Sequence, residues 1–256
     1  MRLTVGQVEN KICIVTGAAG SIGLATVRAL LAEGGRVMMV DMSEERLRDA
    51  HASLGTNRAA TCVADVTKAA DAANYVAQTV ALWGKVDVLF SNAGNDGPLV
   101  PTVDYPEDVF DSLMATHVRG CFLACKYTLP QMNEGGSIIL TSSITGVKGV
   151  PNNVAYVAAK HAIVGIMRCV AREVAVRKIR VNTVNPGPLD NEFMRKAERR
   201  LSELTGKDWG AFYDSVIPAG RHGQPEEVAR AVLFLASDQS SYTSGSTLMV
   251  DGALTA

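Results

Sequence analysis

Short apolar runs rich in β-branched residues alternate along this chain with longer stretches of helical periodicity. The runs are typical of strands buried on both faces, and the stretches between them space their apolar residues as an amphipathic helix does. We predict strands at 12–15, 37–40, 61–63, 86–90, 138–140, 179–184 and 247–250, and helices at 22–33, 44–54, 71–83, 107–131, 154–177 and 225–236. This alternation predicts an α/β fold: one doubly wound parallel sheet of about seven strands with helices on both faces.

The alternation continues along the whole chain, without a Pro/Ser-rich linker, an internal repeat or a low-complexity segment. We therefore predict a single domain spanning residues 1–256. One irregular stretch, 186–223, follows the sixth strand and contains an amphipathic segment at 192–204. Because open α/β sheets bind ligands at the carboxyl ends of their strands, we interpret this stretch as a substrate lid at about 187–217, with an ordinary surface insertion as the alternative.

Charge and hydropathy exclude several classes of protein. The chain has 25 Lys and Arg residues against 26 Asp and Glu residues, and no segment concentrates positive charge. Nucleic acid is therefore not a predicted partner. The N-terminal residues contain no apolar stretch of signal-peptide length, and no run of about 18 uncharged apolar residues occurs anywhere. We predict a cytoplasmic protein with no membrane partner.

The five cysteines, odd in number and widely spaced, indicate reduced thiols rather than a disulfide framework. Cys121 and Cys125 lie four residues apart and would share one face of a helix. Two thiols can begin a metal site, but no His or second Cys pair completes it. Packing is the preferred interpretation, and no metal site is predicted.

A glycine-rich turn, T-G-A-A-G-S-I-G, follows the first predicted strand and opens the first helix. Glycine and alanine at such a turn let backbone N–H groups and the positive end of the helix approach a pyrophosphate. In this strand–turn–helix context the turn indicates a Rossmann-type dinucleotide site. The candidate phosphate-binding residues are Gly17, Gly20, Ser21, Ile22 and Gly23.

The second predicted strand ends at Asp41, which Met42 follows. A carboxylate at this point accepts hydrogen bonds from the hydroxyls of the adenosine ribose and repels a 2′-phosphate. No Arg or Lys between Gly17 and Gly23 compensates that repulsion. NAD is therefore predicted as the cofactor in preference to NADP.

Tyr156 and Lys160 lie four residues apart in the predicted helix 154–177, so their side chains project from one face. A phenol titrates near 10 and is a poor base at neutral pH, but a neighbouring ammonium stabilises the phenolate. Such a pair can take a proton from a carbinol, or return it to a carbonyl, while hydride moves. An exposed helix contact is the alternative. Ser143 favours the catalytic interpretation because it follows a strand that ends nearby and its hydroxyl can hold the substrate oxygen.

These residues and three further motifs, all in family order, resemble those of the short-chain dehydrogenase/reductase family. The glycine-rich turn resembles T-G-x-x-x-G-x-G, and Tyr156 to Lys160 resembles Y-x-x-x-K, with Ser143 thirteen residues upstream. The resemblance covers residues 10–253. The further motifs are Asp65-Val66 after the third strand, Asn92-Ala93-Gly94 after the fourth and Asn185-Pro186-Gly187 after the sixth.

The resemblance implies a role for each matching residue. Tyr156 would be the general acid/base, Lys160 would lower its pKa and bind the nicotinamide ribose, and Ser143 would position the substrate oxygen. A homotetramer, the usual state of similar proteins, would use the helices 107–131 and 154–177 as subunit contacts and the apolar segment 245–254 as a second contact. The residues implied to hold the cofactor, besides the turn, Asp41 and Met42, are Asp65, Val66, Asn92, Ala93, Gly94, Tyr156, Lys160, Pro186, Gly187, Leu189 and Asn191.

Three residues depart from the family pattern. Ser21 stands at the middle glycine of the turn, and Asn191 stands where Thr is usual, so we expect altered rather than lost cofactor contacts. His117 replaces an Asn that ordinarily supports a water relaying protons to the lysine. Either His117 carries this relay itself, since imidazole both donates and accepts, or backbone groups satisfy it and it has no role in proton transfer.

The predicted function is NAD-dependent hydride transfer between nicotinamide and a secondary alcohol or ketone. A reductase of 3-oxoacyl thioesters is one alternative, although it would be expected to prefer NADPH, which Asp41 opposes. A non-catalytic NAD-binding sensor or scaffold is another, and Ser21 and His117 are the features that would suit it.

Several residues near the predicted strand ends and in the lid are apolar or aromatic, which favours a compact hydrophobic or ring-bearing substrate. The predicted pocket comprises 96–99, 147–150, Phe193, Met194, Trp209, Phe212 and Tyr213. In the same lid, Arg195, Lys196, Arg199 and Arg200 are interpreted as a solvated helix face, with phosphate recognition as the alternative.

Overall fold

The structure, a computed structural model, describes residues 6–256. Residues 1–5, which include part of the N-terminus predicted to lack a signal peptide, lie outside the described residues. Seven strands form one parallel sheet in the order β3-β2-β1-β4-β5-β6-β7, and the predicted α/β fold with helices on both faces is confirmed. The strands are β1 (Ile12–Thr16), β2 (Arg36–Asp41), β3 (Ala59–Val63), β4 (Val86–Ser91), β5 (Met132–Thr141), β6 (Arg180–Pro186) and β7 (Thr247–Val250).

The helices lie close to the predicted positions, with two differences. The stretch predicted as one helix at 107–131 contains a wider π-helical turn, Met114–Arg119, between two α-helical segments. The lid contains a second helix that the periodicity did not predict. The helices are α1 (Ser21–Ala32), α2 (Glu44–Ala52), α3 (Ala69–Trp83), α4 (Glu107–Leu113), α5 (Gly120–Thr128), α6 (Val154–Val174), α7 (Glu192–Thr205), α8 (Trp209–Val216) and α9 (Pro225–Ala236).

Two hydrophobic cores lie on opposite faces of the sheet. Because successive strand residues point to opposite faces, Ile14 of β1 packs into one core while its neighbours Cys13 and Val15 pack into the other. Helices α3, α5 and α6 cover the first face, and α1, α2 and α9 cover the second. Because helices cover both faces, β1 is buried along its whole length and is apolar up to its last residue, Thr16.

The strand order reverses between β1 and β4, since the chain runs outward from β1 through β2 to β3 and then returns to the other side of β1. The helices that follow β1 and β4 therefore lie on opposite faces, and a crevice opens at the carboxyl ends of these two strands. The glycine-rich turn follows β1 and the Asn92-Ala93-Gly94 segment follows β4. The fold thus brings both predicted cofactor segments to one crevice.

One helical stretch is unusually apolar. Residues Val154–Arg177 form a helix long and apolar enough to cross a membrane by length and composition, and 44% of its most apolar window is buried within the fold.

The five cysteines are free thiols. Cys13, Cys62, Cys121 and Cys125 are buried, and Cys169 is exposed. Within residues 6–256, no cluster of His, Cys, Asp and Glu has the grouping needed to hold a metal ion.

Candidate active site

The turn after β1 is too tight for side chains at two of its glycines. Gly17 has a φ of +65°, and a Cβ added there would lie 2.9 Å from the Cα of Ala93. A Cβ on Gly23 would lie 2.1 Å from the carbonyl oxygen of Gly17. Only glycine allows β1, the turn and α1 to approach this closely, which is the requirement of a pyrophosphate cradle.

The N-terminus of α1 is open to an anion. Gly20 is the N-cap residue and has no side chain to cap the helix, and the first turn contains no acidic residue. The positive end of the helix dipole and the first N–H groups, including those of Ser21 and Ile22, therefore favour a negative ligand. The turn and the helix end together fit a dinucleotide pyrophosphate.

Asp41 ends β2 beside this turn. One carboxylate oxygen accepts a hydrogen bond from the N–H of Ala19 at 3.1 Å, and the other accepts from the N–H of Ser43 at 3.2 Å. A carboxylate offers about four acceptor positions, so positions remain for two ribose hydroxyls. Met42, the next residue, is 74% exposed and carries no charge.

The Asn92-Ala93-Gly94 segment is hydrogen-bonded to the end of β1 through Thr16, a residue that no sequence motif indicated. The Thr16 hydroxyl accepts hydrogen bonds from the N–H groups of Asn92 at 2.9 Å and Ala93 at 3.2 Å. The Asn92 amide donates to the carbonyl of Thr16 at 3.2 Å and accepts from the Thr141 hydroxyl at 3.2 Å. These bonds connect the carboxyl ends of β1, β4 and β5.

Asp65 and Val66 lie beyond β3 in a turn of their own. One carboxylate oxygen of Asp65 accepts from the N–H of Thr67 at 3.0 Å and from its hydroxyl at 2.7 Å. A Cβ on Gly120 would lie 3.0 Å from Cγ2 of Val66, so Val66 packs against the start of α5. The turn therefore holds the Asp65-Val66 backbone in place at the end of β3.

Tyr156, Lys160 and Ser143 meet at the carboxyl end of β5. Lys160 is 3% exposed; its Nζ lies 5.3 Å from the ring centroid of Tyr156 and donates to the carbonyl of Thr141 at 2.9 Å. Ser143 is buried two residues beyond the end of β5, and its carbonyl accepts a hydrogen bond from the Asn185 amide at 2.7 Å. An ammonium has three N–H donors, so two remain for a ribose or water.

Burial dominates the protonation of this group. Burial raises the pKa of Tyr156, the neighbouring Ser143 hydroxyl opposes the shift, and the charge of Asp96 adds to it. Burial also lowers the pKa of Lys160 to about 8, with Cys121 opposing. Lys160 is not among the causes of the Tyr156 shift, so the expected lowering of the Tyr156 pKa by Lys160 does not appear in the protein without cofactor. It stays a prediction for the cofactor-bound protein.

His117 lies in the π-helical turn, with its ring perpendicular to that of Tyr156 at a centroid distance of 5.4 Å. Its Nε2 is 2.8 Å from the carbonyl oxygen of Asn95, whereas its buried Nδ1 has no hydrogen-bond partner among the described residues. Burial and then the charge of Lys160 lower the pKa of His117 to about 3, while the Asn95 bond opposes this. The ring is neutral at physiological pH, with one nitrogen bonded and one free.

Two of the departures from the family pattern contact each other. The Asn191 amide donates to the Ser21 hydroxyl at 3.1 Å, while its oxygen caps α7 by accepting from the N–H of Met194 at 2.9 Å. The Pro186–Leu189 segment before it is held by backbone bonds, from Gly187 to the Val250 carbonyl at 3.0 Å and from Gly223 to that of Pro188 at 3.0 Å. The lid thus begins in direct contact with the start of α1.

A cavity of about 50 Å³, partly open to solvent, lies beside Tyr156 under the lid. Its lining includes the predicted residues Asp96, Gly97, Leu99 and Phe193, and also Asn153, Ala197 and Arg200, which were not predicted as pocket residues. Gly149 and Val150, from the predicted segment 147–150, line a separate and more open cavity.

The other predicted pocket aromatics pack within the lid. The rings of Trp209, Phe212 and Tyr213 contact one another at centroid distances of 4.9 to 5.9 Å. His222 joins the two lid helices, because its ring nitrogens lie 2.7 Å from a carboxylate oxygen of Asp214 and 2.7 Å from one of Glu198. Aromatic rings that pack on one another in this way are stabilised without a bound substrate.

Two of the four basic lid residues form ion pairs on the solvent side. Arg195 pairs with Asp190 and Glu192, and Arg199 pairs with Glu192 at 2.8 Å. Arg200 differs, since it points to the cavity and pairs with Asp96 at 2.8 Å.

Comparison with known proteins gives matches over nearly the whole chain. A family model described as Enoyl-(Acyl carrier protein) reductase matches residues 17–255. A 3-oxoacyl-[acyl-carrier-protein] reductase of Thermotoga maritima is 35% identical, covering 97% of this chain and 99% of that protein. A 2,5-dichloro-2,5-cyclohexadiene-1,4-diol dehydrogenase of Sphingobium indicum is also 35% identical, covering 98% and 100%. The crystal structure of levodione reductase superposes with a TM-score of 0.92 at 32% identity, covering 96% of this chain and 97% of that one.

Proposed function

The chain belongs to the short-chain dehydrogenase/reductase family and is a hydride-transfer oxidoreductase; from this premise we propose that it is an NAD-dependent dehydrogenase of secondary alcohols, or the ketone reductase in reverse. One observation carries the proposal. A buried Lys160 ammonium, bonded to a carbonyl rather than a carboxylate, lies 5.3 Å from the ring of Tyr156, which lines the cavity. A buried charge paired only with a carbonyl is costly, which indicates that its position serves chemistry.

Each residue of the group has a role in this proposal. Ser143 donates to the substrate oxygen and holds it near the Tyr156 hydroxyl. Tyr156 accepts the carbinol proton during oxidation and returns it during reduction. Lys160 stabilises the phenolate by its charge, and its free N–H donors bind the nicotinamide ribose. When bound, the nicotinamide supplies the hydride acceptor, and its positive charge adds to the stabilisation of the phenolate.

NAD is the proposed cofactor. Gly17, Gly20 and Gly23 would surround the pyrophosphate with backbone, and Asp41 would accept from the adenosine ribose. Asp41 already has fixed geometry, since both of its oxygens accept backbone N–H groups. A 2′-phosphate at the same place would be repelled by the Asp41 carboxylate, and the neighbouring Met42 carries no charge to offset this repulsion.

His117 is proposed as the residue that holds the proton-relay water in place of the usual Asn. Its Nε2 lies 2.8 Å from the carbonyl oxygen of Asn95 and 3.3 Å from the Asn95 nitrogen. In the tautomer whose Nε2–H donates to the closer carbonyl, the neutral ring presents Nδ1 as an acceptor. Because its pKa is lowered to about 3, the ring acts by hydrogen bonding and does not carry the proton as imidazolium.

The proposed substrate is a compact, hydrophobic, ring-bearing alcohol or ketone. Leu99, Phe193 and Ala197 give the cavity apolar walls. One relative, the 2,5-dichloro-2,5-cyclohexadiene-1,4-diol dehydrogenase, carries the name of a ring substrate, which supports this class. The Thermotoga maritima relative favours a second candidate, reduction of 3-oxoacyl thioesters, which Asp41 opposes through its expected effect on NADPH. We further propose a cytoplasmic location, a homotetramer and a substrate lid at about 187–217.

The test is to mix the purified protein with NAD and a panel of ring alcohols and follow NADH absorbance at 340 nm. Tyr156→Phe should lower kcat by at least about 100-fold, the scale expected for losing a general acid/base. Tyr242→Phe, which alters a fully exposed tyrosine, serves as the control. A Tyr156→Phe variant as active as the parent would refute the assigned role. Calorimetric NAD binding without any turnover would instead favour the sensor or scaffold alternative.

A further inference from the structure

The cavity beside Tyr156 contains one ion pair among mostly small and apolar residues. Arg200 of α7 and Asp96 of the loop after β4 approach to 2.8 Å, joining the lid to the body of the fold. Both residues line the cavity together with Leu99, Phe193 and Ala197. In a cavity of this kind the few charged side chains fix the orientation of a bound ligand, while the apolar walls cover most of its surface.

The spacing along α7 places this pair relative to Tyr156. Phe193, Ala197 and Arg200 are at positions i, i+4 and i+7, so they share the face of the helix that covers the cavity. The ring of Phe193 lies 6.3 Å from that of Tyr156. Tyr156, Asp96 and Arg200 line the same cavity, so a molecule whose carbinol lies at Tyr156 shares that cavity with the ion pair.

The pair has unused hydrogen-bonding capacity. Its side chains are 48% and 31% exposed, and ion pairs at this exposure contribute little to stability. The contact uses one N–H of a guanidinium that has five, and one oxygen of a carboxylate that has two. A hydroxyl or carbonyl of a bound molecule can therefore accept from Arg200 or donate to Asp96 without breaking the pair.

The electrostatics of the cavity favour an uncharged group. Asp96 neutralises the charge of Arg200, so an anion would gain little attraction and would meet the carboxylate. After burial, the charge of Asp96 is a further cause of the raised pKa of Tyr156, so its field reaches the phenol. A carboxylate or phosphate on the substrate would add a second negative charge to the same cavity.

We propose that the Arg200–Asp96 pair is a specificity-determining subsite that recognises a second, uncharged oxygen function, a hydroxyl or carbonyl, on a ring alcohol or ketone. This inference rests on the proposed role of Tyr156 at the reacting carbon. It names the class of substrate as dioxygenated rings and predicts weaker turnover of rings with a single oxygen.

The experiment compares cyclohexanol with trans-1,4-cyclohexanediol as substrates of the full chain with NAD. After correction for its two equivalent carbinols, the diol should have a kcat/KM about tenfold to a hundredfold higher, the range of one hydrogen bond to a charged group. Arg200→Gln should lower the kcat/KM of the diol more than that of cyclohexanol, and so reduce this ratio to within about threefold of one. Arg199→Gln removes a guanidinium paired at the solvent face of the same helix and should leave the ratio unchanged.

Two results would overturn the subsite: a parent enzyme that does not distinguish the two alcohols, or an Arg200→Gln variant in which both lose kcat/KM by the same factor, since that is the effect of a loosened lid. Calorimetric titration of both alcohols into the NAD-loaded protein separates the subsite from the chemistry. If neither alcohol is oxidised, a binding preference for the diol that Arg200→Gln abolishes supports the subsite while the proposed reaction fails. Equal binding of the two alcohols contradicts the subsite.

Discussion

The Lys160 side chain carries its charge in a buried position, where the ammonium loses its hydration. The side chain is 3% exposed, and burial lowers its pKa to about 8 from an ordinary value of 10.5. The carbonyl of Thr141 satisfies one of its three donors. Burial destabilises the Lys160 ammonium, but it also excludes the water that would screen the charge of Lys160 from Tyr156. The cost in stability and the proposed use in catalysis therefore both result from burial.

We predict that this cost is visible in the pH dependence of stability. Between pH 8 and 10.5 the unfolded chain binds the Lys160 proton while the native protein has released it, so the free energy of unfolding rises with pH across this window. Lys160→Met carries no charge and lacks this contribution. The unfolding free energy of the parent minus that of Lys160→Met should increase by about 3 kcal/mol from pH 7 to 10.5.

Urea unfolding of both proteins without NAD measures this difference, and the contributions of Cys13 and Tyr75, whose raised pKa values do not involve Lys160, cancel in the comparison. A difference that does not vary with pH would show that Lys160 keeps its ordinary pKa in the folded protein.

Asp41 carries the second residue-scale prediction. The parent protein should use NAD with a kcat/KM at least about tenfold above that for NADP, because a phosphate near a carboxylate is repelled by a few kcal/mol at intermediate dielectric. Asp41→Asn keeps an acceptor but removes the charge, and should narrow this preference by improving the use of NADP. Parallel NAD and NADP titrations measure it, and Glu44→Gln, three residues onward in α2, is the control. An unchanged preference in Asp41→Asn would remove Asp41 as its cause.

At this scale the sequence predicted residues with local signals and missed those defined by distant partners. Ser143, Tyr156 and Lys160 come together as expected. Tyr156 and Lys160 are one turn apart on the same helix, and Ser143 follows a strand that ends beside them. Thr16 was missed because its partner Asn92 lies 76 residues away, and the Arg200–Asp96 pair because its members are 104 residues apart. No local pattern distinguishes such residues from ordinary surface or strand positions.

At the scale of elements, the π-helical turn Met114–Arg119 decides where His117 points. Apolar periodicity predicted one helix over 107–131, and it did not reveal the turn, because a single wider turn leaves most of the apolar face in register. The turn brings the ring of His117 against both Tyr156 and Gly94. Helix α8 was missed for another reason: its aromatic residues pack on one another within the lid rather than on one face against the sheet.

The contact between this turn and the loop after β4 predicts a coupled pair of substitutions. A Cβ on Gly94 would lie 2.5 Å from Cε1 of His117, so Gly94→Ala should lower the free energy of unfolding by about 1–3 kcal/mol, the cost of overpacking. In a His117→Ala background the same substitution should cost at least about 1 kcal/mol less, because the clash is gone.

Chemical denaturation of the four proteins in this cycle measures the coupling. Gly149→Ala is the matched control, since its added Cβ would meet nothing within 4 Å. Additive effects of Gly94→Ala and His117→Ala would contradict the contact.

At the scale of the whole molecule, helices α5 and α6 keep apolar surface outside the core. Phe122 of α5 is 48% exposed although the buried residues of the same helix pack on the sheet. We predict that this face is a subunit contact of the proposed tetramer. Sedimentation velocity at micromolar concentration should show a tetramer, and Phe122→Asp should shift it to smaller species by placing a charge in a buried contact.

Leu82→Asp is the control for this prediction, because Leu82 is 56% exposed on α3, outside the predicted contacts. A parent protein that sediments as a monomer would remove the prediction, and equal effects of the two substitutions would remove Phe122 from the interface.

By itself the sequence determined the alternation of strands and helices, the two-sided burial of the sheet, the glycine-rich turn and the Tyr156–Lys160 pair, because each depends on periodicity or backbone freedom within a few residues. Only the tertiary structure decided the contacts of the lid: Asn191 with Ser21, Arg200 with Asp96, and the aromatic residues with each other. It also decided the directions of the pKa shifts. Contacts and burial arise from how segments far apart in the chain pack, and local pattern does not encode that packing.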